Sequence, residues 1–198
     1  MLASIHPLGE RARDRRWGVT VSAYVAGSTL AAALLGGLVG AAGRLLPLTP
    51  VATAVTVAVL CAAALAFDLH LGGLQLPTIH RQVDKDWLDR YRGWVVGGGF
   101  GFQLGLGVVT IVTTAAVYLT FALALLTGSG AGGALVGATF GLARAVVILA
   151  VAHVRRPDQL RAALRRMQAL RPLSDRLGIA VQTLVLLAAL VRSSPWRS

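Results

Sequence analysis

The chain has 198 residues, of which 56% are apolar and only 14% are charged, and its mean hydropathy is +0.70. Soluble domains carry about 25% charged residues, so this composition excludes an ordinary soluble enzyme or binding module. It predicts an all-α integral membrane protein. The net charge of +11 would by itself suit a nucleic-acid partner, so the positions of the 19 basic residues must decide that question.

Long, mainly apolar stretches predict a bundle of about five transmembrane helices, because roughly 20 helical residues cross about 30 Å of hydrocarbon. We place these spans at residues 18–43, 51–76, 93–127, 132–154 and 177–192. Together they form a single membrane domain that covers residues 1–198. The charged first seventeen residues and the long first apolar run argue against a cleaved signal peptide.

The basic residues are distributed unevenly between the two sides of this predicted bundle. Segments 1–17, 80–92 and 155–176 hold fifteen of them, whereas the opposite side holds Arg44, Arg192 and Arg197. Short loops rich in Lys and Arg remain in the cytoplasm, so we expect a multi-pass protein of the inner (plasma) membrane with a cytoplasmic N-terminus. The asymmetry explains the high net charge through contact with anionic lipid headgroups, and no nucleic-acid partner is expected.

Glycine ladders indicate close contacts between helices inside the membrane. They consist of Gly97, Gly101 and Gly105 in the third span and Gly133, Gly137 and Gly141 in the fourth. We expect the third span to pack its glycine face against the fourth. As one straight helix, residues 93–127 would extend about 52 Å, so we predict a bend between Gly105 and Thr114; a long tilted helix is the alternative.

A second helical pattern lies between the last two spans. Residues 157–170 begin with Pro157 and an acidic Asp158, and they carry leucines on one face and arginines on much of the remainder. This pattern predicts an amphipathic helix on the cytoplasmic surface of the bilayer. Docking of a membrane-protein partner on this helix is the alternative.

Polar groups inside the spans form the candidate functional site, because ionisable residues are expensive in hydrocarbon. They are Asp68, Gln103, Thr110, Thr113, Thr114 and Arg144. An ion pair between Asp68 and Arg144 would neutralise both charges. Such a pair would act either as an interhelical clamp or as a substrate or proton site. The third alternative is that Asp68 extends to the cytoplasmic interface without a partner.

The sequence gives no positive signal for catalysis, so we expect no enzymatic activity and no catalytic residues. No GxSxG, Walker or HExxH motif occurs, and no HxxxH or CxxC spacing indicates a metal. We therefore expect no metal site and no cofactor. The single cysteine, Cys61, lies in the second span, where a buried apolar role is expected.

Three segments together resemble the membrane-embedded thiol-disulfide carriers of the cytochrome c biogenesis (CcdA) and DsbD type, within the LysE-like transporter superfamily. They read "RRWGVTVSAYVAGSTLAAALLGGLVGAAGRL", "FDLHLGGLQLPTIHRQVDKD" and the glycine-rich stretch from Gly93 onward with "GSGAGGALVGATFGLARAVVILAV". The resemblance covers residues 11 to about 192 and implies the fold and the membrane setting.

The chain departs from that family at the positions that carry its chemistry. The family keeps one cysteine beside a proline in its first and fourth spans, whereas the region matching the fourth span here reads "QLGLGVVTIVTT". We expect the first span to be absent from this chain or supplied by another subunit. Thiol-disulfide relay within this chain is therefore not expected. We expect a transporter or transport-accessory subunit; the alternatives are a non-transporting scaffold or assembly subunit that supplies a packing surface to another protein, and an accessory role in cytochrome c maturation. The partner would be another membrane protein or a second copy of the chain.

Overall fold

The computed structural model describes residues 7–12, 16–71, 91–107, 115–152 and 154–193. The helices are α1 (Pro7–Ala12), α2 (Trp17–Ala42), α3 (Pro50–Asp68), α4 (Gly93–Gly105), α5 (Ala116–Leu126), α6 (Gly130–Val146) and α7 (Pro157–Ser193). Short 3-10 turns extend α2 through Gly43–Leu45 and α6 through Val147–Val151. The described residues contain no strand, and the all-α membrane fold expected from composition is confirmed.

Within these ranges, four helical segments are long and apolar enough to cross a membrane. They are Trp17–Leu45, Pro50–Asp68, Gly130–Val151 and Pro157–Ser193, and Ala116–Leu126 is a shorter apolar helix. α3 begins with Pro50 at its first turn, and the Thr49 hydroxyl accepts a hydrogen bond from the Ala52 amide at 3.2 Å. α3 ends at Asp68, eight residues before the predicted end of the second span.

The third predicted span is divided rather than continuous. α4 ends at Gly105, and Gly107 adopts a φ of +69°, which is left-handed backbone that glycine adopts without steric cost. The next described helix, α5, begins at Ala116. The chain thus leaves the helix inside the predicted bend, and the alternative of one long tilted helix is wrong.

α7 joins two elements that the sequence predicts as separate, the surface helix 157–170 and the span 177–192. It runs for 37 residues and contains Pro172. A proline usually ends a helix, but it removes only one backbone hydrogen bond and can remain inside a kinked helix. At about 55 Å, α7 is longer than the hydrocarbon layer, so its arginine-rich first part extends beyond the layer while its second part crosses it.

α2 lies at the centre of the bundle and packs against α4 on one face and α6 on another. A Cβ added to Gly101 would collide with the Tyr24 carbonyl oxygen, and one added to Gly137 with the Ala32 carbonyl oxygen. Both glycine ladders therefore face α2, and the expectation that the third span packs its glycines on the fourth is wrong. The small residues of α2 accept a neighbouring backbone on each side, which leaves little direct contact between α4 and α6.

The remaining long helices form a second unit. α3 packs chiefly against α7, and α5 lies between this pair and the α2-centred group. Cys61 is completely buried among Ala64, Ala115 and Leu119, with Val185 of α7 packed against the same cluster. Side chains rather than backbones fill this contact.

Candidate functional site

The structure describes three of the six candidate polar residues. Asp68 ends α3, Gln103 lies near the end of α4 and Arg144 lies near the end of α6, and all three are partly buried. Thr110, Thr113 and Thr114 lie outside the described residues. The six glycines of the two ladders are all buried against neighbouring helices.

Asp68 joins three helices through its carboxylate, and we call this arrangement the Asp68 clamp. The Ala115 amide, at the start of α5, donates to Oδ1 at 2.7 Å, and Nε2 of Gln182 in α7 donates to Oδ2 at 2.8 Å. An anion is favourable beside the N-terminus of α5, where backbone amides lack helical partners. The clamp therefore satisfies both carboxylate oxygens without a cation.

Arg144 occupies a different environment, which we call the Arg144 site. Its guanidinium carbon lies 5.3 Å from the centroid of the Phe140 ring. Its Nη1 atom is buried and has no hydrogen-bond partner. No ion pair joins Arg144 to any other residue that the structure describes.

The Arg144 site adjoins the end of the interrupted helix. Phe140 packs edge to face on Phe121 with ring centroids 5.9 Å apart, and a Cβ added to Gly107 would meet both rings at 3.1 to 3.3 Å. Gly107 and the partly buried guanidinium of Arg144 thus share Phe140 as a neighbour. Of the predicted features, the helix break and the intramembrane arginine are brought together.

The two charges of the hypothesised Asp68–Arg144 ion pair belong to different parts of the bundle. α6, which carries Arg144, packs against α2, whereas α3, which carries Asp68, packs against α7. The carboxylate is occupied by Gln182 and Ala115 instead. Sequence separation and estimated depth gave no information on which helices are neighbours, so the sequence suggested the wrong partner for Asp68.

Sequence reasoning missed two polar contacts. Gln182 is 3% exposed, and it is the only strongly polar side chain between Ile179 and Leu190 apart from Thr183, which is the signal that could have revealed it. Glu10 of α1 is completely buried, and its Oε2 accepts a hydrogen bond from the Thr20 hydroxyl at 2.5 Å. Glu10 lies in a strongly charged N-terminal segment, so the sequence predicted a solvent-exposed side chain there.

The arrangement restricts the chemistry available to the chain. Disulfide exchange within one chain needs two thiols, and the sequence holds Cys61 alone, which is buried. Among the described residues, no group of three His, Cys, Asp or Glu side chains is placed to hold a metal ion. The polar groups of the Asp68 clamp can hold helices together, and the guanidinium of the Arg144 site can contact an anion.

Residues 2–190 match the family described as the cytochrome C biogenesis protein transmembrane region. The chain belongs to this family. The match covers almost the whole sequence and agrees with the all-α membrane bundle. No solved structure matches the chain.

The chain is similar to curated proteins that carry the name methylamine utilization protein MauF. The chain is 36% identical to that of Paracoccus versutus over 147 residues, which cover 72% of the chain and 54% of the relative. It is 34% identical to that of Paracoccus denitrificans over 163 residues, covering 80% and 58%. The chain thus spans about half the length of the curated relatives it matches.

Proposed function

We propose that the chain is a membrane accessory protein that supports methylamine utilization without thiol-disulfide chemistry of its own. The observation that carries this proposal is the Asp68 clamp, in which the acidic candidate residue ties α3, α5 and α7 together. A carboxylate engaged in this way stabilises a scaffold. The similarity to proteins named for methylamine utilization supports the proposed role in that process. The single buried cysteine supports a role without thiol-disulfide chemistry.

A deletion strain tests this proposal. Loss of the gene is expected to abolish or strongly slow growth on methylamine, while growth on a substrate that needs no amine oxidation continues as in the parent strain. The full-length gene should restore growth. Normal growth of the deletion strain on methylamine would contradict the proposal.

Transport is the second candidate function, and the Arg144 site favours it. A partly buried guanidinium with a buried, unpartnered nitrogen, next to an interrupted helix, resembles the construction of midmembrane substrate sites. A permanent positive charge there disfavours an amine cation, so the transported species would be neutral or anionic. This restricts the candidate substrates before any assay is run.

Uptake into liposomes separates the two candidates. If transport is the function, Arg144→Leu abolishes uptake and Arg144→Lys retains part of it, because lysine keeps the charge but loses the planar fork. Under the accessory proposal, liposomes that contain the wild type or either variant take up no more substrate than empty liposomes, although both variants remain folded. Equal transport by the two variants would exclude Arg144 as a substrate contact.

The membrane location and orientation are part of the proposal. The basic loops support an inner-membrane protein with a cytoplasmic N-terminus. In a Cys61→Ala background, cysteines at positions 45 and 129 should react with an impermeant reagent from outside, and those at 85 and 165 from inside. The reverse pattern would invert the orientation.

A further inference from the structure

An apolar groove lies between the first half of α3 and the end of α7. It encloses about 430 Å³, within the ~300–1,000 Å³ range of small-molecule sites. Val51, Val57, Val185 and Ala188 contribute to its apolar walls, and Arg192 lies at the end where α7 approaches Pro50. The groove therefore combines hydrocarbon walls with one cation.

Arg192 has no counterion among the residues that the structure describes. It is exposed, and no ion pair or hydrogen bond joins its side chain to another described residue. The described connections at this end, residues 43–49 and 127–129, contain Arg44 and no Asp or Glu. The acidic residues of α3 and α7, which are Asp68, Asp158 and Asp175, belong to parts of these helices remote from the groove mouth, so Arg192 is open to an anion from another molecule.

The position of the groove identifies that molecule. Both walls are membrane-spanning helices, so the apolar part of the groove faces the lipid hydrocarbon, while Arg192 stands at the helix end, at headgroup level. A phosphate at Arg192 also lies near the N-terminus of α3, where the helix dipole favours an anion. An acyl chain fits the walls below it.

We propose that this groove is a binding site for an anionic phospholipid, with the acyl chain between α3 and α7 and the phosphate on Arg192. The site is separate from both the Asp68 clamp and the Arg144 site, and it does not depend on the accessory function. A bound lipid would fill the space that the loose α3–α7 contact leaves open near its outer end. It would thereby act as part of the bundle.

Photo-crosslinking tests the proposal at the site itself. The full chain is placed in phosphatidylcholine liposomes that contain a trace of phosphatidylglycerol or phosphatidylcholine carrying a diazirine on one acyl chain. After irradiation, proteolysis and mass spectrometry locate the adducts. We expect adducts on residues 50–57 and 185–192 to be about fivefold more abundant with the anionic probe, as one arginine–phosphate contact provides.

Two pairs of variants separate charge from shape. Arg192→Gln should reduce the abundance of groove adducts from the anionic probe to that from the zwitterionic probe, while adducts on the arginine-rich segment 157–170 stay unchanged. Arg176→Gln, at the other end of the span, should leave the preference of the groove for the anionic probe intact. Ala188→Phe should reduce groove adducts from both probes. Ala180→Phe, at a position of α7 that is also exposed but lies outside the groove, should leave these adducts unchanged.

Three results would overturn the proposal. The first is an anionic preference in the groove that survives Arg192→Gln. The second is groove labelling that Ala188→Phe leaves unchanged. The third is an absence of groove adducts from either probe while other exposed positions of α3 and α7 are labelled, which would show that lipid does not occupy the groove.

Discussion

The α2-centred group and the α3–α7 pair are held together by different physical means. In the first group, glycines of α4 and α6 lie directly against carbonyl oxygens of α2. In the pair, side chains surround Cys61, a carboxylate joins three helices, and a groove remains open at one end. Lipid competes equally for apolar side chains, so close backbone approach and buried hydrogen bonds are the two available means of attaching one helix to another.

The comparison teaches where substitutions are tolerated. Backbone contacts cannot adjust, because a carbonyl oxygen in a helix has no rotamer to change. Side-chain contacts can be repacked or filled by lipid. We therefore expect the α2-centred group to be the more sensitive to added volume and the α3–α7 pair to be the more sensitive to loss of a polar partner.

The largest expected effect follows from adding volume to the α2-centred group. Gly137→Leu places a side chain against the Ala32 carbonyl, and we expect a loss of at least about 3 kcal/mol in the free energy of unfolding. Gly178→Leu is the matched control, because a Cβ there meets nothing within 4 Å; its effect should stay within about 0.5 kcal/mol. Unfolding in SDS, followed by circular dichroism, measures both. Similar losses in the two variants would remove the distinction.

A smaller effect is expected in the α3–α7 pair. Asp68→Leu leaves the Gln182 amide and the Ala115 N–H without their acceptor, which should cost about 1–2 kcal/mol. Gln182→Leu combined with it should cost less than the sum of the two single changes, because they remove one shared interaction. The same unfolding measurement completes the cycle. Strict additivity would show that the two side chains do not interact.

The smallest expected effect concerns the attachment of α1 to α2. Thr20→Val conserves shape but removes the hydroxyl that donates to buried Glu10, so stability should fall by about 1 kcal/mol. Thr56→Val is the control, since the Thr56 hydroxyl donates only to the Ala52 carbonyl of its own helix. The two variants are compared in the same unfolding assay. An equal response would mean that Glu10 adds nothing beyond burial.

Much of this fold could be predicted from the sequence, since apolar length and the distribution of arginine identify spans without reference to neighbours. The helix break beside Gly105 and Gly107 was also predictable, because glycine density and excess length point to the same place. The helix boundary near Pro172 could not be predicted in the same way. α7 continues through Pro172, although the usual preference of proline predicts that a helix ends there.

The candidate site was predictable only in part. Asp68 and Arg144 stand out as charges within apolar segments, but the identity of their partners depends on which helices are neighbours. Gly101 and Gly137 are both recognisable as contact residues, yet nothing in their spacing indicates that the common partner is α2. The burial of Glu10 could not be predicted, because it depends on the contact of a short N-terminal helix with Thr20.

The central claim is that this member of the cytochrome c biogenesis family works without a thiol of its own. Cys61→Ala in the complemented deletion strain tests it most directly, with the amount of membrane-inserted protein measured in parallel. Cys61 is buried and small, so the variant should fold, and growth on methylamine should equal that of the wild type. Loss of growth with a normal amount of folded protein would show that the thiol takes part and would contradict the account.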